Sequence, residues 1–477
     1  MSQTIEPREL HGFRLFGYSI GQFGYFLTRL LISVFAFQYY VYTVNLDAIL
    51  ASIGIAINLI LNAIALIVFG VIADNKKPGR FGKRRPFMLY GLPIWVISAI
   101  LIWIPPWYCP KNNSFYWPTA LYFWIMLSLN VISGSSIISA HLSMMTEQSQ
   151  TYKNREKIAA WRAIFMITAS ILALLLPLMI QSILEDPVRV KWWEPSGKVI
   201  LFYMPIIGVG FAFFGLFSLI LTFFSVDESF HKTSTNDVFK KLTLLDTFRE
   251  ITIPAKDKKY RKVMGVSFFN AMASRILGLL IIPFLAFVLK FKGPEFFIYV
   301  AISISSKYAH FFLWKRFLKK HGLIKTYSMC LISAAVASFL ELIFLVEFLS
   351  FEIEIVLFVI TIGTVLGTIY AVNLFATPLA SALIYEAAEN KSEENIDKEV
   401  STISGSYFGL QSFMLAFGQS ISTIMVGFIL TGPNEQNPII ITITLASMGI
   451  FYFISLLFLR KIKLKKDQSK ILKSEII

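Results

Sequence analysis

The residues able to do chemistry in this chain are few, and most lie inside long apolar stretches. Arg29, Arg162, Arg275 and Lys307 fall within or at the edge of such stretches, and Glu341 is the one carboxylate well inside one. A charge at membrane depth is expensive and usually faces a bundle interior or a water-filled cavity, so these five point to a binding or ion pathway. A guanidinium binds carboxylate or phosphate with a planar fork of donors, so Arg29 and Arg162 read as anion-binding groups, with helix pairing or snorkelling as the alternatives. Arg275 and Lys307, with His310, offer further cations from the second half, unless Lys307 snorkels toward Lys315. Glu341 can pair with Arg275 or Lys307, or carry a proton. Gln22, Asn62, Asn130, Asn270 and Gln411 can bond a hydroxyl-rich ligand or bridge neighbouring helices. His141, at the end of the fourth apolar stretch, carries an imidazole that can titrate near neutral pH, but a hydrogen-bonded histidine at the interface is the expectation.

No phosphate-binding loop, nucleophile elbow or metal-ligand spacing occurs in the sequence, which argues against an ATP-driven pump, a hydrolase or a resident metal or cofactor. Cys109 and Cys330 match no redox or zinc pattern. The clearest local motif is Gly70-Val71-Ile72-Ala73-Asp74 followed by Gly82-Lys83-Arg84-Arg85-Pro86. Asp74 at the membrane surface can hold a cation from an adjoining helix end. The cluster Lys83, Arg84 and Arg85 can sit against helix C-termini and anionic lipid. Together they make a charge latch that can hold neighbouring helix ends together at one membrane face.

The elements that position these residues follow from composition. Of 477 residues, 56% are hydrophobic and only 15% charged, where soluble domains carry about 25% charged residues. A soluble enzyme is excluded. Twelve apolar stretches of membrane-spanning length are predicted: 15–44, 46–73, 86–105, 117–144, 159–184, 199–226, 263–289, 296–314, 324–348, 353–379, 403–430 and 439–459. The fold class is therefore an all-α membrane protein of twelve transmembrane helices. Residues 1–226 form an N-terminal six-helix bundle, 227–262 a cytoplasmic linker, 263–460 a C-terminal six-helix bundle and 461–477 a basic cytoplasmic tail. No cleavable signal peptide is expected before the first span.

Alternate loops carry 34 Lys and Arg on one side and 6 on the other, which places both termini in the cytoplasm by the positive-inside rule. This bias accounts for most of the net charge of +15, so a nucleic-acid partner is not implied. Trp107, Tyr108, Trp117, Trp192 and Trp193 read as an aromatic belt on the outer side, where Asn112-Asn113-Ser114 is a lone glycosylation tripeptide. The acidic run 386–399 can meet the basic cytoplasmic loops or remain solvated. An echo of the 79–86 run at 314–322 supports two related halves.

At the Gly70–Asp74 and Gly82–Pro86 runs the sequence resembles the major facilitator superfamily, and within it the glycoside-pentoside-hexuronide:cation symporter family. That family's first cytoplasmic loop differs here only in having Lys83 for an Arg. Three further segments extend the resemblance: Phe16–Gly24 with Tyr39-Tyr40, Glu147 with Arg155 and Trp161-Arg162, and Gly405–Phe413. The resemblance implies two six-helix bundles rocking about a midplane cavity, a sugar, glycoside or uronide as solute, and a gating role for Asp74, Arg84, Arg85 and Glu147. It also implies acids in the first, second and fourth helices, where this chain has Phe26, Asn62 with Leu66, and Ser135 or a neighbour; a common eleventh-helix Lys appears as Ala416. Sodium favours anionic oxygen ligands and proton coupling needs a titrating group, so the inherited cation mechanism does not carry over. The expectation is a monomeric carrier of a small, anionic or amphiphilic solute in the cell membrane, facilitative or linked to a proton or sodium. A lysolipid carrier on the same fold and a non-transporting membrane sensor or scaffold are the alternatives.

Overall fold

In the computed structural model, residues 8–228, 243–346, 349–391 and 396–464 are described. Most of the first half of the predicted linker, the middle of the 386–399 run and nearly all of the basic tail lie outside them. The described residues form fourteen α-helices: α1 (Gly12–Gln38), α2 (Ala48–Asn75), α3 (Arg85–Leu101), α4 (Trp117–Gln148), α5 (Tyr152–Ser182), α6 (Pro195–Ser225), α7 (Leu244–Thr252), α8 (Tyr260–Pro283), α9 (Phe296–His321), α10 (Leu323–Leu340), α11 (Phe351–Glu389), α12 (Ile396–Ile429), α13 (Pro438–Ala446) and α14 (Met448–Arg460). Eleven continuous helical stretches among these residues are long and apolar enough to cross a bilayer, α13 and α14 together making one. The third predicted span is the 17-residue α3, apolar but shorter. The eighth, interrupted in sequence by Lys307 and His310, runs unbroken as α9. In a solvent without hydrogen-bonding capacity a helix satisfies its own backbone, so each of the twelve hydropathy peaks becomes helix rather than strand.

The chain folds as two compact units, one of residues 1–47 and 61–244, the other of 48–60 and 245–477. In the first, α1 packs on α5 and α6, and α3 on α4 and α6, around Tyr18, Tyr25, Trp95, Ile137 and Met144. The α1–α6 contact uses small residues, as lipid-embedded helices do to bring backbones together. A Cβ at Gly24 would lie 1.9 Å from Ser218 Oγ and 2.7 Å from Gly215 Cα, and Thr222 Oγ1 donates to the Gly17 carbonyl at 2.8 Å. This packing is the physical content of the glycine spacing in Phe16–Gly24.

In the second unit, α8 packs on α12 and α14, α10 on α14 and α11, and α11 on α9. Residues 48–60 of α2 belong to this unit: Ser420 Oγ donates to the Ala56 carbonyl, and Gly427 abuts Ser52. Both halves repeat one local device. The first span ends in a π-turn, Tyr39–Thr43, followed two residues later by Asn45 at φ 68°. The seventh ends in a π-turn, Phe284–Val288, followed two residues later by Lys290 at φ 53°. Positive-φ glycines, Gly82 and Gly322, likewise lie in the basic turns before α3 and α10. Single π-turns are uncommon and concentrate at functional sites, so their recurrence extends the sequence echo to backbone geometry.

Candidate functional site

The basic turn between α2 and α3 is held by carboxylates from three helix ends. Arg84 Nη2 bonds Asp74 Oδ1 at 3.0 Å and its Nε bonds Glu147 Oε1 at 2.7 Å, while the Arg84 backbone N–H donates to both oxygens of Glu228, at 3.2 and 2.9 Å. Glu228 lies just past α6 and is 2% exposed. Burial pushes its carboxyl above the usual carboxylate range, opposed by backbone N–H groups of Lys83, Arg84 and Arg85, and Glu147 adds to the rise. The adjoining Asp227 exchanges hydrogen bonds with the Gln148 side chain. Gly82, at φ 89°, leaves room for Glu228, whose Oε2 would lie 1.9 Å from a Cβ there. A carboxylate facing the first N–H groups of α3 is favoured by the helix dipole, so Glu228 caps α3 from a distance.

Arg84 and Arg85, predicted to act alike, separate here: the Arg85 guanidinium lies over the Phe223 ring at 5.3 Å. Glu228 escaped sequence reasoning because it opens a long hydrophilic stretch. Its signal was an acidic pair, Asp227-Glu228, closing an apolar span.

Deeper in the same unit, α1, α2 and α4 bring together Arg29, Asn62 and Ser135. Arg29 Nη1 donates to Tyr25 Oη at 2.9 Å and to Asn62 Oδ1 at 3.1 Å, and Ser135 Oγ donates to the same Asn62 oxygen at 3.3 Å. Tyr25, missed in sequence, stacks on Trp95 at 6.0 Å and so fixes one partner of the arginine. Arg29 is exposed, midway along an apolar span, and no carboxylate pairs with it among the described residues. A guanidinium so placed needs water or an anionic ligand at that face rather than hydrocarbon.

Nearer the Glu147 end of α4, Arg162 Nη2 donates to Gln22 Oε1 at 3.0 Å and its Nη1 to Met145 Sδ at 3.2 Å. His141 is buried beside them, its ring 4.6 Å from that of Tyr18, with no hydrogen-bond partner at either ring nitrogen. Asn130 is engaged between helices: its amide donates to the Trp95 carbonyl and to Ser98 Oγ.

In the second unit the predicted polar residues mostly bridge helices. Asn270 donates to Tyr327 Oη at 2.6 Å, Gln411 to Ser267 Oγ at 3.0 Å, and Arg275 Nε to Thr423 Oγ1 at 3.1 Å. Lys307 Nζ lies 4.2 Å from the Tyr370 ring centroid, a cation–π contact. The expected pairing of Glu341 with Arg275 or Lys307 does not form, because both cations are engaged elsewhere and both Glu341 oxygens lack a hydrogen-bond partner. The acidic run does meet the basic loops at one point, where Glu386 pairs with Lys259. Among the described residues no group of three or more His, Cys, Asp or Glu side chains forms a metal site.

Comparison with known proteins bears on this arrangement. Residues 17–465 match the family described as MFS/sugar transport protein. An uncharacterized symporter of Synechocystis sp. is 24% identical over 194 residues, a match covering 41% of this chain and 36% of that one, so the chain matches little more than a third of that relative's length. Among solved structures, a mutant of the nucleoside transporter NupG superposes with TM-score 0.63 at 15% identity, covering 95% of this chain and 100% of that one. A D-xylose-proton symporter superposes with TM-score 0.60 at 13% identity, covering 94% and 97%. At these identities the likeness concerns the fold, and it agrees with the major facilitator fold that the motif resemblance implies. With the family match spanning nearly the whole sequence, this multi-pass membrane chain belongs to the MFS/sugar transport protein family.

Proposed function

We propose that this protein moves a sugar-derived, anionic solute of the uronide type by alternating access. The observation that carries the reading is the Arg29 cluster: a guanidinium inside an apolar span, oriented by two neutral oxygens and left with its charge uncompensated. Such a group binds a carboxylate by charge-assisted hydrogen bonds while Asn62 and Ser135 remain to meet hydroxyls. Neutral residues at positions where the resemblance implies acids fit the same reading, since a carboxylate beside Arg29 would occupy it. Gln22 and Arg162 form the second part of the proposed site, with Asp74, Arg84, Glu147 and Glu228 as its gate. Asn130, Asn270 and Gln411 serve as interhelical bridges. The proposed carrier is a monomer in the cell membrane, and the distribution of Lys and Arg supports placing both of its termini in the cytoplasm.

Counterflow in proteoliposomes tests this, because it requires alternating access but no ion gradient. Labelled glucuronic acid should exchange, unlabelled uronides should compete better than neutral hexoses, and Arg29→Ala should lose exchange by at least tenfold. Competition by lysolipids but not by sugars would replace the solute class. Absence of exchange of any solute would favour a scaffold.

A further inference from the structure

Three spans of the second unit leave α-helical geometry in one region. The seventh ends in the π-turn Phe284–Val288, α10 gives way to a 3₁₀ turn, Glu341–Leu345, and the twelfth span breaks at Ser447 between α13 and α14. The π-turn and the 3₁₀ turn both pack on α13, and the 3₁₀ turn also touches α11. Glu341 stands at the junction of α10 and this 3₁₀ turn. It is 0% exposed, and neither carboxylate oxygen has a hydrogen-bond partner. Tyr452 on α14 lies within electrostatic reach, itself buried with its hydroxyl unpartnered.

Among the described residues no cation faces this carboxyl. The π-turn and α13 carry no titratable side chain. From α14 comes Tyr452, and α10 adds Tyr327 and Cys330, which interact with Tyr452. On α11, Glu352 and Glu354 lie in the first turn, and Glu354 interacts with Lys290 just beyond the π-turn. Arg275 on α8 is bonded to Thr423, and Lys307 on α9 lies over Tyr370. A bare carboxylate enclosed without a partner is strongly unfavourable, and Glu341 also sits at the negative end of the α10 dipole. Both effects demand a positive charge at the carboxyl, and a proton is the one that needs no further ligands. Broken helices in transporters are where coupling ions are held.

We propose that Glu341 is the proton-binding carboxyl of this transporter, supplying from the second half an acid that the first, second and fourth helices lack at Phe26, Asn62 and Ser135. The proton is carried as the carboxylic acid in the closed packing around the 3₁₀ turn and leaves as H⁺, regenerating the carboxylate, when that packing opens to water. This rests on the transporter reading above.

The test uses the full chain in liposomes. Infrared difference spectroscopy across a pH step should show a protonated-carboxyl band that disappears in Glu341→Gln and shifts in Glu341→Asp, whether or not any solute moves. With labelled glucuronic acid, a pH gradient should drive accumulation by the unaltered protein, whereas Glu341→Gln should retain counterflow but only equilibrate. An unchanged carboxyl band in Glu341→Gln would overturn the proposal, as would pH-driven accumulation equal to the unaltered protein. So would accumulation driven by sodium in place of pH and abolished by the same variant. Failure of counterflow in every variant with the band still lost would refute the transport reading alone.

Discussion

Glu228 receives the backbone N–H of Arg84 on both carboxylate oxygens, while the Arg84 side chain reaches away to Asp74 and Glu147. One residue of the basic turn is thus held at its backbone by one acid and at its guanidinium by two others. The backbone contact positions the fork, and the fork ties together the ends of α2 and α4.

Replacing Glu228 by Ala leaves buried N–H donors at the start of α3 without acceptors. The expected loss is about 1–3 kcal/mol of unfolding free energy, measured by thermal unfolding in detergent. The pH dependence has a definite sign. The folded carboxyl is held above its ordinary value of 4.5, so the folded state binds more protons than the unfolded one from about that pH upward. Stability from this group therefore falls as pH rises through that window, and Glu228→Gln should flatten the slope there. A slope that steepens on substitution would contradict the burial argument.

Arg84 and Arg85 should differ sharply although they are adjacent. Arg84→Ala removes charged hydrogen bonds from two carboxylates and should cost about 1.5–3 kcal/mol. Arg85→Ala removes a contact with the Phe223 ring, worth about 0.5–1 kcal/mol at a partly exposed site. Thermal unfolding of the two variants, with an Arg84/Glu147 double-mutant cycle, gives the order; equal losses would mean that the turn is held by other contacts.

How much of this was legible in the sequence divides along physical lines. A run of about twenty apolar residues has one outcome in lipid, so the spans and the fold class followed from hydropathy alone. Arg29 stood out because a charge inside such a run is rare. Pairing across helices was less accessible, since it depends on rotation about each helix axis. Glu341 found neither of its expected partners, and Lys307 turned to Tyr370. The split between Arg84 and Arg85 depends on backbone dihedrals around Gly82, which composition does not reveal. The π-turns at Tyr39–Thr43 and Phe284–Val288 lie within otherwise unremarkable apolar sequence, and only their backbone geometry marks them.

Gly24 is expected to tolerate no side chain. Its missing Cβ would meet both the Ser218 hydroxyl and the Gly215 backbone, and only the first can move aside. Gly24→Ala should destabilise by about 1–3 kcal/mol through overpacking of α1 against α6. Adding Ser218→Gly should recover part of that loss and not all, because the Gly215 contact remains. Complete recovery would mean that the backbones can separate without cost.

The sharpest prediction concerns Asn62, whose side-chain oxygen lies 3.1 Å from Arg29 Nη1 and accepts from Ser135 as well. Asn62→Asp keeps the size and both acceptor contacts but adds a negative charge, turning the Arg29 contact into an ion pair. If Arg29 recognises an anion, that internal carboxylate competes with the ligand's own. Binding of glucuronic acid should then weaken by at least tenfold, equivalent to about 1.4 kcal/mol, while binding of the corresponding neutral hexose is unchanged or improved. Arg29→Ala alone should bring a comparable loss of uronide binding, since either change removes the net positive charge from the cluster. Competition in the counterflow assay reads both effects. Equal weakening for neutral and anionic sugars would place the Arg29 charge outside recognition and leave the cluster a structural link between α1, α2 and α4.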